Sequence, residues 1–324
     1  MNTLLQEKPI ETSLKFLEDV LSGLKSEPKF LSSKYFYDER GDKIFQQIMD
    51  MEEYYLTNAE MDILVNQADK ICEAITADGN SFDLIELGAG DATKSIHLLK
   101  ALTDKRLNFS YLPIDISEHV IADLEETLPL KVPQLNIKGF NGDYFEMLGK
   151  ATAFSNRRKV VLFMGANIGN MAVADAEKFC TALKNQLSKD DLLIIGFDLK
   201  KNPEQILAAY NDKNGITKSF NLNLLNRINN ELSGNFDLKN FEHYACYDPQ
   251  SGACKSYLIS LEDQSVTIGE HSVSFSKNEY IFMEISQKYA LNEIDELAKT
   301  AGFLPSENFF DANNYFVDAL WKVE

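Results

Sequence analysis

Asp83-Leu84-Ile85-Glu86-Leu87-Gly88-Ala89-Gly90-Asp91-Ala92-Thr93 is the stretch on which the fold turns. Phe82 to Leu87 is a short apolar run of the length of a buried strand. Two glycines follow at once, and there the backbone can approach a ligand closely. Thr93 to Leu102 then carries a helical pattern. Strand, glycine turn and helix start in immediate succession suit a parallel sheet covered by helices.

Reading outward, the alternation continues. Asn108 to Ile116 reads as a strand, Glu118 to Thr127 as a helix, and Gln134 to Gly139 as a strand. Val160 to Met164 is a buried strand, Asp175 to Leu187 a helix and Leu192 to Phe197 the next strand. After Asp198 the pattern becomes mixed. Helical segments at Pro203 to Tyr210 and Asn221 to Leu232 precede Phe241 to Tyr247, Ala253 to Leu261 and Ser265 to Ile268, which alternate like antiparallel strands. The helix Leu291 to Ala301 ends at the cap glycine Gly302. Two strands, Phe303 to Asp311 and Tyr315 to Val323, close the chain.

On the N-terminal side, Leu14, Phe16, Leu17, Val20, Leu21 and Leu24 have helical spacing. A second helix covers Lys43 to Met49. A third is expected over Asn58 to Ile75, with Thr57 as N-cap and Glu60 completing a capping box. The predicted architecture is therefore α/β in two parts. Residues 61–198 with 287–324 form a Rossmann-like sheet, whose closing helix, glycine and hairpin resemble the ending of the class I methyltransferase fold. Residues 1–60 with 199–286 form a second, substrate-binding domain.

Charge excludes some partners. The formal net charge is -18, a field that repels phosphate backbones, so nucleic acid is not an expected substrate. The basic Asn156-Arg157-Arg158-Lys159 reads as a solvated loop before a strand. Cys72, Cys180, Cys246 and Cys254 form no C-x-x-C pair and read as reduced thiols. His97, His119, His243 and His271 lack zinc spacing, and no metal is expected. No basic-then-apolar leader opens the chain and no apolar run reaches membrane-span length. A cytoplasmic protein that binds no membrane is the expectation, and a monomer is compatible with everything the sequence shows.

Three segments fall at carboxyl ends of strands, where ligands bind in such sheets. Besides the glycine turn, Tyr111-Leu112-Pro113-Ile114-Asp115-Ile116 ends a strand in an acid able to accept both hydroxyls of a ribose. Gly142-Asp143-Tyr144 suits an adenine edge beside an aromatic ring. Alone, a G-x-G is as well explained by a structural turn, but three segments in register point to an adenosine-containing ligand. A nicotinamide dinucleotide is the rival. It would want glycine or alanine where Thr93 stands, and Asp91 would repel its pyrophosphate. A cationic sulfonium suits Asp91 better, which favours S-adenosyl-L-methionine.

Lys34-Tyr35-Phe36-Tyr37-Asp38-Glu39-Arg40-Gly41 and Glu53-Tyr54-Tyr55-Leu56-Thr57-Asn58-Ala59-Glu60 resemble the N-terminal signatures of the histidine-specific methyltransferases, which make trimethylhistidine (hercynine) on the route to ergothioneine. Gly165-Ala166-Asn167-Ile168-Gly169-Asn170, Ala209-Tyr210-Asn211-Asp212, Phe236-Asp237 and Phe241-Glu242-His243 continue the resemblance in order along nearly the whole chain. It implies methylation of an amino acid's α-amine with S-adenosyl-L-methionine as cofactor. Gly88, Lys94, Asp115, Asp143 and Tyr144 match cofactor-contacting positions. Tyr54 and Tyr210 match tyrosines that hold the substrate carboxylate. Asn170, with Tyr37 through water, matches the grip on the amine. Glu284 and Ser286 match the pair that hydrogen-bonds the imidazole.

The chemistry is compatible. Tyrosine hydroxyls donate to a carboxylate without adding charge, and Glu284 in Phe282-Met283-Glu284-Ile285-Ser286 would gain from an imidazole N–H in an apolar stretch. Read without the resemblance, Glu284 would be an ordinary strand acid, the tyrosines packing residues and Lys94 a solvated helix residue. One position departs from the pattern. Where histidine-methylating members can carry a methionine, this chain has Ser256, smaller and polar. Another amino acid or a histidine derivative therefore stays open as substrate, and a non-catalytic cofactor-binding subunit is a further alternative.

Overall fold

A computed structural model of the protein describes residues 10–77 and 79–324. Residues 1–9, on which the absence of a leader is read, and Asp78 lie outside the described residues. The chain begins with α1 (Ile10–Leu24), the short β1 (Lys29–Phe30), α2 (Glu39–Met49), α3 (Tyr55–Asn66) and α4 (Ala68–Ile75). An alternating stretch follows: β2 (Phe82–Leu87), α5 (Ser95–Asp104), β3 (Phe109–Asp115), α6 (Glu118–Lys131), β4 (Phe140–Asn141), α7 (Tyr144–Thr152), β5 (Arg158–Phe163), α8 (Val173–Asn185) and β6 (Leu192–Asp198). Then come α9 (Pro203–Tyr210), α10 (Ile216–Glu231), β7 (Phe241–Asp248), β8 (Ala253–Ser260), β9 (Gln264–Ile268), β10 (His271–Phe275) and β11 (Tyr280–Gln287). Helix α11 (Leu291–Thr300) and strands β12 (Phe303–Phe310) and β13 (Phe316–Val323) end the chain.

Two compact units result. One joins the described residues up to Tyr55 with Asn202–Ser286; the other joins Leu56–Lys201 with Gln287–Glu324. The second holds a seven-stranded sheet in the order β12-β13-β6-β5-β2-β3-β4. β2 pairs in parallel with both β3 and β5, and β13 lies antiparallel between β6 and β12. The sheet order therefore reverses at β2, and the crevice beyond its carboxyl end is where such a sheet takes a ligand. β2, β6 and nearly all of β13 are buried along their length, which is why they read as mainly apolar segments without a period-two alternation. The α/β fold read from the sequence is observed, down to Gly302 closing α11 at φ +90°.

The first unit carries a four-stranded sheet, β1-β11-β8-β7, and the hairpin β9-β10. Phe16, Val20 and Leu24 of α1 lie four residues apart and are buried with Phe220, Leu224 and Ile228 of α10 in one core.

Three local expectations are corrected. The strand predicted over Gln134 to Gly139 is absent: Pro133 cannot donate to a ladder, Gln134 sits at φ +70°, and only Ile137 bridges to Tyr111 before the two-residue β4. The single helix over Asn58 to Ile75 is two, because Gln67 leaves helical geometry (φ -121°, ψ 9°) and its side-chain amide donates to the Phe310 carbonyl. The capping box at Thr57 and Glu60 does not form. The helix begins earlier, at Tyr55, and Glu60 is fully buried with its carboxylate engaged elsewhere.

β7 alternates, with Phe241, His243 and Ala245 buried and Glu242 and Tyr244 exposed. His243 Nε2 has no hydrogen-bond partner. Burial pulls this imidazole down to about 4, against which the nearby carboxylates of Glu242 and Asp212 act only weakly. The folded state thus refuses a proton that the unfolded chain takes up below about pH 6.5. Stability from this group should be constant above that pH and fall by roughly 3 kcal/mol in all as the pH drops to about 4. Urea unfolding across that window should show a shallower pH slope in His243→Leu; an identical slope would remove His243 as the cause.

Candidate active site

The ends of β2 and β3 build the first half of the site. Gly88 and Gly90 turn the chain at φ +70° and +53°. A Cβ at Gly88 would stand 2.6 Å from Tyr144 Oη, so any other residue there would displace that hydroxyl and strain a left-handed backbone. Gly88 N–H donates to the Ile114 carbonyl at 2.8 Å, tying the turn to β3. Asp115, at the end of β3, accepts from Gly90 N–H at 3.2 Å and Ser117 N–H at 2.9 Å. A carboxylate has about four lone-pair positions, so about two remain for a ligand. Asp143 caps α7 by accepting from Phe145 N–H at 2.9 Å. Tyr144 follows it, its ring 6.1 Å from that of Phe163, with burial raising its hydroxyl above the usual range.

Beside the turn lies a small cavity of about 90 Å³, lined by Glu86, Gly88, Asp91, Lys94, Gly165 and Asn167 among others. Burial raises the Glu86 carboxyl to about 7, although it accepts a 2.5 Å hydrogen bond from Tyr111. A larger cavity, about 800 Å³, opens at the other end of the same strands near Arg158 and Leu192. It contains none of the motif residues, and the small cavity is the one the chemistry marks. Asn170 is exposed at the end of a turn, Asn167–Asn170, that follows β5.

The other unit gathers the remaining candidates. Tyr210 Oη and Ser286 Oγ share a buried 2.6 Å hydrogen bond. The Tyr210 ring stands 6.3 Å from Tyr54. Glu284, two residues before Ser286 on β11 and so on the same side of the strand, accepts from Asn221 Nδ2 at 3.3 Å. Ser256 is 1% exposed on β8, opposite Ala245. Tyr37, nearly half exposed, packs its ring edge-on against Phe45 (5.4 Å) and Phe220 (5.6 Å). The next residue, Asp38, is fixed by Gly41 N–H and Asn223 Nδ2.

Asn221, Asn223, Phe45 and Phe220 were not singled out in the sequence. A signal existed for the asparagines. Asn221 lies within the apolar stripe of α10 that includes Phe220, Leu224, Leu225 and Ile228, and a fully buried amide there needs a partner.

The groups present fit S-adenosylmethionine: a left-handed glycine turn set against Tyr144, an acid with spare acceptor capacity at the next strand end, and Lys94 for a carboxylate. A sheet whose order reverses at β2, whose penultimate position is taken by an antiparallel strand, and whose turn offers Asp91 and Thr93 in place of a third glycine is that of a class I S-adenosylmethionine-dependent methyltransferase. The profile of the histidine-specific, SAM-dependent methyltransferases matches residues 16–323. The histidine N-alpha-methyltransferase of Mycolicibacterium smegmatis is 34% identical over 284 residues, covering 87% of each chain. The ergothioneine biosynthesis protein 1 of Neurospora crassa is 33% identical over 307 residues, 92% of this chain and 34% of that protein. Among solved structures, the CcbJ methyltransferase of Streptomyces caelestis is similar with a TM-score of 0.40 and 13% identity, covering 79% of this chain and 95% of that one. The chain belongs to the histidine-specific, S-adenosylmethionine-dependent methyltransferases.

Asp115→Ala should weaken S-adenosylmethionine binding by roughly 1.5–3 kcal/mol, the scale of hydrogen bonds to a charged group. Calorimetry is the check, and unchanged affinity would remove Asp115 from the ribose position.

Proposed function

We propose that the protein methylates the α-amine of L-histidine, repeatedly, to trimethylhistidine (hercynine). The observation that carries this reading is the side-chain set on β11. Glu284, oriented by Asn221, and Ser286, held by Tyr210, lie two residues apart on one side of the strand. A carboxylate acceptor and a hydroxyl at that spacing match the two nitrogens of an imidazole. The name of the M. smegmatis relative supports the same substrate, and that of the N. crassa relative a place in ergothioneine biosynthesis.

When bound, S-adenosylmethionine supplies an electrophilic methyl group on a sulfonium. This chain's residues bind and orient. Asp115 takes the ribose hydroxyls, Asp143 and Tyr144 the adenine, and Lys94 the one carboxylate of the cofactor. Tyr54 and Tyr210 donate to the substrate carboxylate. Asn170 accepts from the α-amine, and Tyr37 relays the amine proton to water. Positioning and exclusion of water account for most of such a rate enhancement. Repeated transfer needs tolerance for a growing cation, and Tyr37, Phe45 and Phe220 in mutual contact, with Tyr54 joining Phe45 to Tyr210, offer ring faces for it at centroid distances of 5.4–6.5 Å. We read the protein as cytoplasmic, since none of its four cysteines is joined in a disulfide.

The test is mass spectrometry of a mixture of the twenty amino acids incubated with the protein and labelled S-adenosylmethionine. Label in trimethylhistidine is the expected result. Label in another amino acid, with histidine untouched, would overturn the substrate assignment.

A further inference from the structure

Glu60 is conspicuous as a fully buried carboxylate. It projects from α3 with 0% exposure. One oxygen accepts from Gly165 N–H at 2.6 Å, and the other pairs with the Lys94 ammonium. Room for it exists only because β6 has a glycine there: a Cβ on Gly196 would stand 2.5 Å from Glu60 Oε1. Gly196 is in register with Asp318 of β13, a second carboxyl group with 0% exposure and no hydrogen-bond partner on either oxygen. Burying such a group of charges is costly, and apolar residues of equal volume would serve stability as well or better. Lys94 and Gly165 both line the cavity beside the glycine turn, whereas Glu60 does not. It grips two of the cavity's walls from outside.

We propose that Glu60 is the positioning residue of the cofactor site: it fixes the Lys94 ammonium and the Gly165 N–H from behind and so sets where the cofactor's carboxylate is held. This rests on the reading that Lys94 takes that carboxylate. The electrostatics agree. Burial pulls Lys94 down, but the charge and hydrogen bond of Glu60 outweigh it and hold the ammonium above its usual range. Asp318 and Glu86 also face Lys94. Burial, with the Glu60 charge behind it, pushes the Asp318 carboxyl well above its usual range.

A double-mutant cycle tests this, read as S-adenosylhomocysteine affinity by calorimetry. Lys94→Met and Glu60→Gln should each weaken binding by roughly 10- to 100-fold. Glu60→Gln in the Lys94→Met background should cost almost nothing more. Without its counter-charge, Lys94 loses its proton more easily, so the loss in Glu60→Gln should grow between pH 7 and 9 relative to wild type. Glu60→Asp, which keeps the charge but withdraws it by one methylene, should recover part of the affinity. It also replaces Glu60→Gln in the cycle if that variant does not fold. Losses that add in the double mutant, or a pH-independent loss, would make Glu60 merely structural and overturn the inference. Unchanged affinity in Lys94→Met would instead overturn the assignment of Lys94, and the inference with it.

Discussion

Asn170→Ala lowers kcat/KM for the amino-acid acceptor by roughly 100-fold and leaves cofactor affinity within about twofold, if Asn170 accepts from the α-amine as proposed. The separation of the two effects is the informative part. Asn170 sits at the end of the turn after β5, outside the β2, β3 and α7 segments that carry the proposed cofactor residues. Tyr37→Phe should lose roughly tenfold in kcat, because its hydroxyl acts through water and a water chain can partly substitute. The Tyr37 ring is held between Phe45 and Phe220, so removing the hydroxyl leaves the packing as it was. Steady-state kinetics together with S-adenosylhomocysteine calorimetry on both variants gives the answer. Equal losses in acceptor turnover and cofactor binding would count against both assignments.

The sheet was legible because its strands are buried on both faces. β5 and β6 carry the apolar runs Val160–Phe163 and Leu192–Ile195, and β2 is apolar but for Asp83 and Glu86. Edges were harder. β4 is a two-residue strand at the sheet margin, and its short pairing leaves no periodicity to find. The break at Gln67 was invisible for a different reason: its cause is the Phe310 carbonyl, 243 residues away. Glu60 shows how a local rule misleads. Its spacing from Thr57 satisfies a capping box, but the carboxylate is claimed by Gly165 and Lys94, which only the tertiary fold brings near. The candidate site residues were legible through their motifs. Their supports, Asn221 on Glu284 and Asn223 on Asp38, were not, because an asparagine in a helical stripe announces a buried partner without saying which one.

Glu284→Ala is expected to have the largest effect on substrate choice. If Glu284 accepts the imidazole N–H, the variant loses the group that distinguishes histidine, and kcat/KM for histidine should fall by at least about 10³-fold. A site built around a polar partner rejects analogues lacking it by factors of up to about 10⁴–10⁵. Removing the carboxylate relaxes that rejection, so activity on phenylalanine or tryptophan should rise relative to histidine. The scaffold should tolerate the change, since Asn221 keeps its hydrogen bond to the Thr217 carbonyl. Ser256 tests the proposed pocket from a second position. It is 1% exposed and pairs with the small Ala245 across β7–β8, and a methionine there would add bulk to whatever pocket it lines. Ser256→Met should sharpen the preference for histidine, and any overpacking would show as a loss of stability of about 1–3 kcal/mol. The measurement is kcat/KM for histidine, tryptophan and phenylalanine in wild type and both variants. If Glu284→Ala leaves histidine turnover untouched, or the wild type ignores histidine, the imidazole assignment fails. Membership of the methyltransferase family does not fail with it, because that rests on a match across residues 16–323 and not on one pocket.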